Sequence, residues 1–559
     1  MSEDSELEEY ALWLVILITL IGGFLRVLLL GAKGMWLDET FSVWMASHPV
    51  PDMLQWIVRI DQHPPLYYVL LHYWIVLTGD AAYDVRLLSA LFSTATIPII
   101  YLIGKRMSGV AMGLAAALIL ALSPFHIYFA QETRMYTLLT FNAAVAIYAL
   151  VRLLTDARSV EPIGSQFREY LRTWRTIETV TPEVEDDPRY AIALPTGWRA
   201  WLSRYRWPSI QTIETDLTWI ALIIFSVATM LTHNTAILFP IAVNVFVSGL
   251  ILFQSVNKSG SQHTLCAPSW ENWVKAQIGV FVLWSPWLLF FIKQASDVDQ
   301  RFWIPEPTWD TVLQTLRSFL NAPAPIPAIQ SAMIWGLYVL VLGLGVMHFR
   351  QRLSRFLFLA VLFSVPFLGE LLVSIRRPIF YDRTLIWTTI PLFLLLAAGV
   401  AQLRYRFLVI VVVGILGVIN LFSVGDYYRF YQKEDWSTPA GYIANFAEKD
   451  DLLLFNSNFV IIPFDYYFKP YEDRYSIQVK KRGIPLDLFD SSVLEPEMTE
   501  GDIPELLSLL RGHERVWLVY SHDAYTDPAG LIPQTLAAQM KLTRQRNFHG
   551  GYVQLYENP

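Results

Sequence analysis

Asp38 and Glu39 stand side by side in WLDET (36–40), just after the almost uncharged run ALWLVILITLIGGFLRVLLL (11–30). A carboxylate where an apolar helix reaches water, beside Trp36 and Phe41, keeps partial burial and a useful pKa. Such a group can take a proton from an attacking hydroxyl or amine. The plainer reading is that both acids cap the next helix and stand off the hydrocarbon. Their place after the negative end of the preceding helix works against folding and leans toward function. In DQHPPLYY (61–68), Pro64 and Pro65 fix a helix start. His63 then lies just ahead of free N–H groups that favour an anion such as phosphate; a loop histidine beside a structural turn is the alternative. QETRMY (131–136) supplies Glu132 and Arg134, which at this spacing face different sides of a helix. Arg134 can clamp a phosphate oxygen or neutralise Asp38 or Glu39. Arg383, in FYDRTLIW, poses the choice between phosphate clamp and interfacial snorkel. Tyr67, Tyr136 and His233 (in LTHNT, 231–235) complete the candidate pocket.

The elements that must hold these residues are membrane spans. Of 559 residues, 54% are hydrophobic and 16% charged, with a mean hydropathy of +0.38. That excludes an ordinary soluble protein and fits a multi-span membrane protein. The single Cys266 excludes a disulfide framework and a cysteine-based zinc site. Nucleotide-driven, zincin and hydrolase-elbow chemistry lack their motifs, and no nucleic-acid partner is expected. No cleavage site follows the first apolar run, so 11–30 reads as a retained span.

About 20 apolar residues cross the hydrocarbon. Spans are expected near 11–30, 86–104, 110–129, 136–154, 217–232, 235–254, 273–293, 331–348, 355–374, 384–402 and 406–424. Reading 65–79 as a helix lying at the outer interface leaves eleven spans. It also puts GKR (104–106), the 155–216 segment, HFRQRLSR (348–355) and RYR (404–406) on one side, as the positive-inside rule prefers. The expected architecture is therefore mainly α, a polytopic domain at 1–426 in the cell membrane. A polar cytoplasmic insertion at 155–216 carries the amphipathic stretch GWRAWLSRYRW, and a long outer loop spans 294–330. From 427 to 559 the apolar runs shorten to DLLLF, YSIQV, RVWLVY and YVQLY, between helix-like TPAGYIANFAEK and GLIPQTLAAQM. They predict a small extracytoplasmic α/β domain. This topology sends every candidate residue to the outer face, and ionisable groups at such depth are expensive unless paired or functional.

Taken in order, WLDET, HPPLYY, SPFHIYFAQETRMY, THNTAILFP and EDWSTPAGYI…DDLLLF resemble the GT-C glycosyltransferases of the glycosyltransferase 39 kind. That group includes protein O-mannosyltransferases and lipid A aminoarabinose transferases. The resemblance implies transfer of a sugar from a polyprenyl-phosphate carrier to a protein, lipid or glycan acceptor on the outer face, by one inverting displacement. It implies Asp38 as the base or acceptor-orienting carboxylate, with Glu39 its partner. His63 would face the donor phosphate, where the aminoarabinose transferases carry a lysine before the two prolines. Two departures stand out: Ser42 replaces the arginine that follows the carboxylate pair in those enzymes, and the C-terminal region does not look like a β-trefoil. Arg134, Arg383 and His63 can supply the charge a monophosphate needs without a cofactor. A divalent ion, Mg²⁺ or Mn²⁺, would fall to Asp38 and Glu132. The competing class is a lipid or sugar transporter, which predicts matched halves and polar groups at the midplane. A non-catalytic scaffold would scatter these side chains beyond about 15 Å, wider than one substrate pocket.

Overall fold

A computed structural model describes residues 3–61, 63–156, 210–256, 265–297, 306–321, 328–488 and 496–559. Most of the 155–216 insertion, GWRAWLSRYRW included, lies outside the described residues, as do 298–305 and 322–327 of the expected outer loop. The chain begins with α1 (Glu3–Val27), α2 (Leu37–Ser47), α3 (Val50–Ile60), α4 (Leu66–Thr78), α5 (Ala82–Ser108), α6 (Val110–Ala121), α7 (Pro124–Ala130) and α8 (Tyr136–Leu154). It continues with α9 (Ile210–Met230), α10 (Leu238–Val256), α11 (Trp270–Asp297), α12 (Trp309–Asn321), α13 (Ala328–His348), α14 (Leu353–Ser374), α15 (Thr389–Ala401) and α16 (Arg406–Phe430).

Each expected span falls on a helix. Among the described residues, eight helices are long and apolar enough to cross a membrane alone, and α6 with α7, bent by 55°, make a ninth. The helical stretches over 217–232 and 384–402 are apolar but shorter. The 294–330 region is more than a loop: it contains α12, whose inner face buries Thr315, Phe319 and Leu320. Val312, Leu316, Phe319 and Leu320 recur at helical spacing, which a count of span-length apolar runs does not register.

The break between α6 and α7 positions the QETR stretch. Pro124 opens α7, and the Ser123 hydroxyl caps it by accepting from His126 N at 3.4 Å. The carbonyls orphaned at the end of α6 are satisfied by the buried Arg26 of α1. Its guanidinium donates to Leu120 O at 2.9 Å, Ala121 O at 3.1 Å and Ser93 Oγ at 2.7 Å. Gln131, the first residue past α7, then donates to Leu28 O at 2.7 Å and ties this corner to the end of α1.

Beyond α16 come α17 (Ser437–Phe446), β1 (Leu452–Asn456), α18 (Ile461–Tyr475), β2 (Lys480–Ile484), α19 (Ile503–Leu510), β3 (Arg515–Ser521), α20 (Leu531–Gln539), β4 (Lys541–Phe548) and β5 (Gly551–Glu557). The sheet order is β2-β1-β3-β5-β4, with β2, β1 and β3 parallel and β5 antiparallel to both neighbours. Both faces are covered. Leu453 and Phe455 join Trp517 and Phe464 on one side, while Leu452 and Leu454 join Val516 and Leu506 on the other. A strand buried on both faces reads as an unbroken apolar run, as DLLLF does. Two details depart from expectation. The strand after α18 covers Lys480–Ile484 rather than YSIQV, and β4 (KLTRQRNF) gave no strand signal because this edge strand is exposed and charged.

Close helix packing yields a test. A Cβ at Gly399 of α15 would collide with the Val341 carbonyl of α13, and one at Gly345 would collide with that of Leu395. Small residues there let two backbones meet. Gly399→Val should abolish recovery of monodisperse protein in detergent. Gly414→Val, with nothing among the described residues within 4 Å of its Cβ, should leave recovery and melting temperature unchanged.

Candidate functional site

WLDET does not sit at the end of α1. The chain leaves α1 at Val27, turns, and re-enters helix at Leu37, so Asp38 and Glu39 occupy the first turn of α2. The expected clash with a negative helix end is therefore corrected: both acids lie at a positive end, which favours them. Consecutive helix positions diverge by about 100°, and the two carboxylates part company accordingly.

Glu39 points into the protein and is wholly buried. Arg86 of α5 grips it with two hydrogen bonds, Nε to Oε1 and Nη2 to Oε2, each 2.7 Å. The same guanidinium donates to Leu30 O at 3.0 Å, Lys33 O at 2.8 Å and Gly34 O at 2.7 Å, fixing the turn before α2. Lys433, three residues beyond α16, donates to Glu39 Oε2 at 2.8 Å, and Thr133 N donates to Oε1 at 2.9 Å. Burial pushes the Glu39 carboxyl up, but Lys433 and Arg86 outweigh it and hold it at about 2.

Asp38 turns the other way and keeps a quarter of its side chain exposed. Arg383 Nη1 lies 3.1 Å and Arg134 Nε 3.9 Å from its Oδ2. Arg134 Nη1 also donates to Asp38 O at 3.3 Å and to Ser42 Oγ at 3.2 Å. Arg134 Nε is a buried donor without a hydrogen-bond acceptor among the described residues. The Tyr136 ring has both guanidinium carbons within reach, at 5.9 Å for Arg134 and 5.7 Å for Arg383. Burial raises the Asp38 pKa, yet the charges of Arg134, Arg383 and His63 bring it below the ordinary carboxylate value.

His63 stands three residues ahead of α4, with its Nδ1 2.8 Å from Asp61 Oδ1, its ring 5.3 Å from that of His233, and 22% of its side chain exposed. The His233 ring lies 6.3 Å from that of Tyr136, and burial drives its pKa well below the usual histidine value. Tyr67 lies deeper: its hydroxyl is 3.4 Å from Ser89 Oγ, which donates to Arg134 O at 3.3 Å. Tyr67 thus backs the Arg134 main chain. Glu132 is buried, with Oε1 3.6 Å from Lys433; burial first and the nearby Glu39 charge hold its pKa above the usual value. Among the described residues no three His, Cys, Asp or Glu side chains are grouped as metal ligands. Asp38 faces two arginines and Glu132 faces a lysine, so this pair does not fit a divalent ion.

Asp38, Arg134, Arg383, His63, Tyr136 and His233 are thus linked by short contacts. Sequence reasoning missed Arg86, Lys433 and Asp61. The signal for Arg86 was present, since an arginine at the start of an apolar span demands a partner; Lys433 carried none. Neutralising a buried acid between two cations costs about 3–5 kcal/mol. Glu39→Gln should therefore lower the melting temperature of the purified protein far more than Asp38→Asn. Equal losses would contradict this division between the two acids.

Residues 62–163 match the family model described as dolichyl-phosphate-mannose-protein mannosyltransferase. A search of curated proteins finds no match in sequence. Among solved structures the chain is similar to apo ArnT from Cupriavidus metallidurans, at 12% identity and a TM-score of 0.55 over 97% of each chain. It is similar to the same protein bound to undecaprenyl phosphate, at 12% identity and a TM-score of 0.52 over 97% of each. The apo Archaeoglobus fulgidus oligosaccharyltransferase matches at 8% identity and a TM-score of 0.51, over 98% of this chain and 74% of that one. The chain shares the fold of these structures over 97–98% of its length, the GT-C fold that the motifs led one to expect.

Proposed function

We propose that the protein is a membrane glycosyltransferase that moves a sugar from a polyprenyl-phosphate donor to an acceptor at the outer face. The observation that carries this reading is the partly exposed Asp38 between two guanidiniums from separate segments, 3.1 and 3.9 Å away. A polyprenyl monophosphate presents its anionic head at the membrane surface on an apolar tail, and a base beside a cationic cluster is what its transfer chemistry needs. The match to the mannosyltransferase model over 62–163 and the fold shared with an undecaprenyl-phosphate-bound protein support the choice of donor.

In this mechanism the acceptor oxygen or nitrogen attacks the anomeric carbon as the bond to the phosphate oxygen breaks. Asp38 takes the acceptor proton, and the polyprenyl phosphate departs as an anion held by Arg134, Arg383 and His63. One displacement inverts the anomeric centre. Arg134 beside Ser42 supplies a guanidinium where the resembled enzymes carry an arginine in the α2 segment. Glu39, with no exposed surface, serves as a positioning group that orients α2 rather than as a base.

The arginines give the base a timing. While they face Asp38 they suppress its basicity; once a phosphate engages them, its proton affinity rises as the acceptor is deprotonated. Asp38→Asn should lower kcat by at least about 10² in assays with radiolabelled polyprenyl-phosphate sugars, with melting temperature retained. The acid limb of kcat/KM, which reports the free enzyme, should lie below about 3.9, the ordinary aspartate pKa. That limb reflects a depressed pKa, so activity is present above it and lost as pH falls through it. The limb of kcat should lie at higher pH, and coincident limbs would refute the exchange of partners. Transfer from none of the lipid-linked donors, with Asp38→Asn indistinguishable from wild type in cells, would defeat the reading as a whole.

A further inference from the structure

The strap joining α16 to the α/β unit, residues 431–436, is fastened on alternate sides. Lys433 faces the membrane region and is almost wholly buried there, bonding Glu39 at 2.8 Å and Gln131 O at 3.1 Å, with Glu132 at 3.6 Å. Its neighbour Glu434 faces the sheet. Glu434 Oε1 is 3.3 Å from Nε2 of His522, at the carboxyl end of β3, and its Oε2 accepts from Trp436 Nε1 at 2.9 Å. Asp435 N then donates to His549 O in the β4–β5 turn at 2.9 Å. A second tie runs in parallel, where Met35 N, at the entry to α2, donates to Tyr467 of α18 at 2.6 Å. Leu37 of α2 packs on the same face of the sheet as Trp436.

We infer that Lys433 is a positioning residue through which the α/β unit sets the carboxylates of the membrane site, a role that rests on the glycosyl-transfer reading above. The lysine closes a loop of contacts. Glu39 fixes the first turn of α2 and so the direction of Asp38. Gln131 O and Glu132 belong to the stretch that delivers Arg134. One ammonium therefore bridges the segment carrying the base and the segment carrying a phosphate clamp. It is held there by a strap whose next residue is anchored in the sheet. A shift of the α/β unit on engaging a large acceptor would move Lys433 and, with it, the distance between base and clamp.

The charges around Glu39 decide the readout. Arg86 comes from α5, Lys433 from the strap, Glu132 from the stretch after α7 and Lys33 from the turn before α2. Tyrosine hydroxyls face Glu39 from α4 (Tyr67), α16 (Tyr427), the strap (Tyr431) and α18 (Tyr466 and Tyr467). Arg86 and Lys433 hold the Glu39 carboxyl low against its burial, so removing Lys433 raises it. Stability and activity that need ionised Glu39 are present above its folded pKa and lost as pH falls through it, so that loss moves to higher pH.

The test uses the full chain in lipid nanodiscs with a radiolabelled polyprenyl-phosphate sugar. Lys433→Met should lower kcat by about tenfold to a hundredfold, the range for misplaced catalytic groups, with donor KM changed less than about threefold. Its acid limb for both activity and melting temperature should move upward, and Lys433→Arg should bring both limbs back toward wild type. Glu434→Ala, which keeps the lysine but removes the strap's side-chain ties to His522 and Trp436, should lower kcat in the same direction. A Lys433→Met protein within twofold of wild type, a uniform loss at all pH, or an inert Glu434→Ala would overturn the inference. Wild-type protein that moves no sugar would instead overturn the transfer reading and the positioning role with it. The melting limb would still report on the Lys433–Glu39 pair by itself.

Discussion

Taking the Glu39 carboxylate out of water costs several kcal/mol unless cations and hydrogen bonds replace its hydration. Here Arg86 provides two bonds, Lys433 one and Thr133 N a fourth. Those donors come from α5, from the strap beyond α16 and from the stretch before α8. Satisfying one buried charge therefore fixes four parts of the chain against one another. The orientation of α2 follows, and with it the outward turn of Asp38. Arg86 extends the constraint by using its remaining donors on the main chain of 30–34, which sets how the chain passes from α1 into α2.

Around this fixed point the site is arranged as an electrostatic balance rather than as a rigid cavity. Asp38 satisfies Arg383 and partly satisfies Arg134, and Tyr136 lies within cation–π reach of both guanidiniums. In a half-buried setting such charges interact far more strongly than in water, so an incoming anion would redistribute them. The break between α6 and α7 matters for the same reason. It delivers Glu132, Thr133 and Arg134 as an irregular stretch lined up against α2, and Arg26 satisfies the carbonyls that the break exposes.

The α/β unit is fastened to the site from two sides, through the strap at 431–436 and through Tyr467. Its sheet supplies stiffness because both faces are covered by apolar side chains. The exposed β4 closes one edge with Lys541, Arg544 and Arg546, charges that discourage pairing with another strand. A stiff body with two attachments passes displacement on to α2 more directly than a flexible tail would.

Much of this was legible in the residues alone. Long apolar runs forecast the helices because a span of hydrocarbon demands about 20 apolar residues in a row. Pro64 and Pro65 announced the start of α4, and DLLLF announced a strand buried on both faces. The ordered polar motifs pointed to Asp38, Arg134, Arg383 and His63 as partners. What the chain could not declare locally was which of two adjacent acids would be buried. That depended on where α1 ended, and on cations 47 and 394 residues away in sequence from Glu39. Periodicity and propensity encode neighbours along a helix or strand, whereas pairing a buried charge is a property of packed segments. Only the tertiary structure could assign Arg86 and Lys433 to Glu39 and leave Asp38 facing the site.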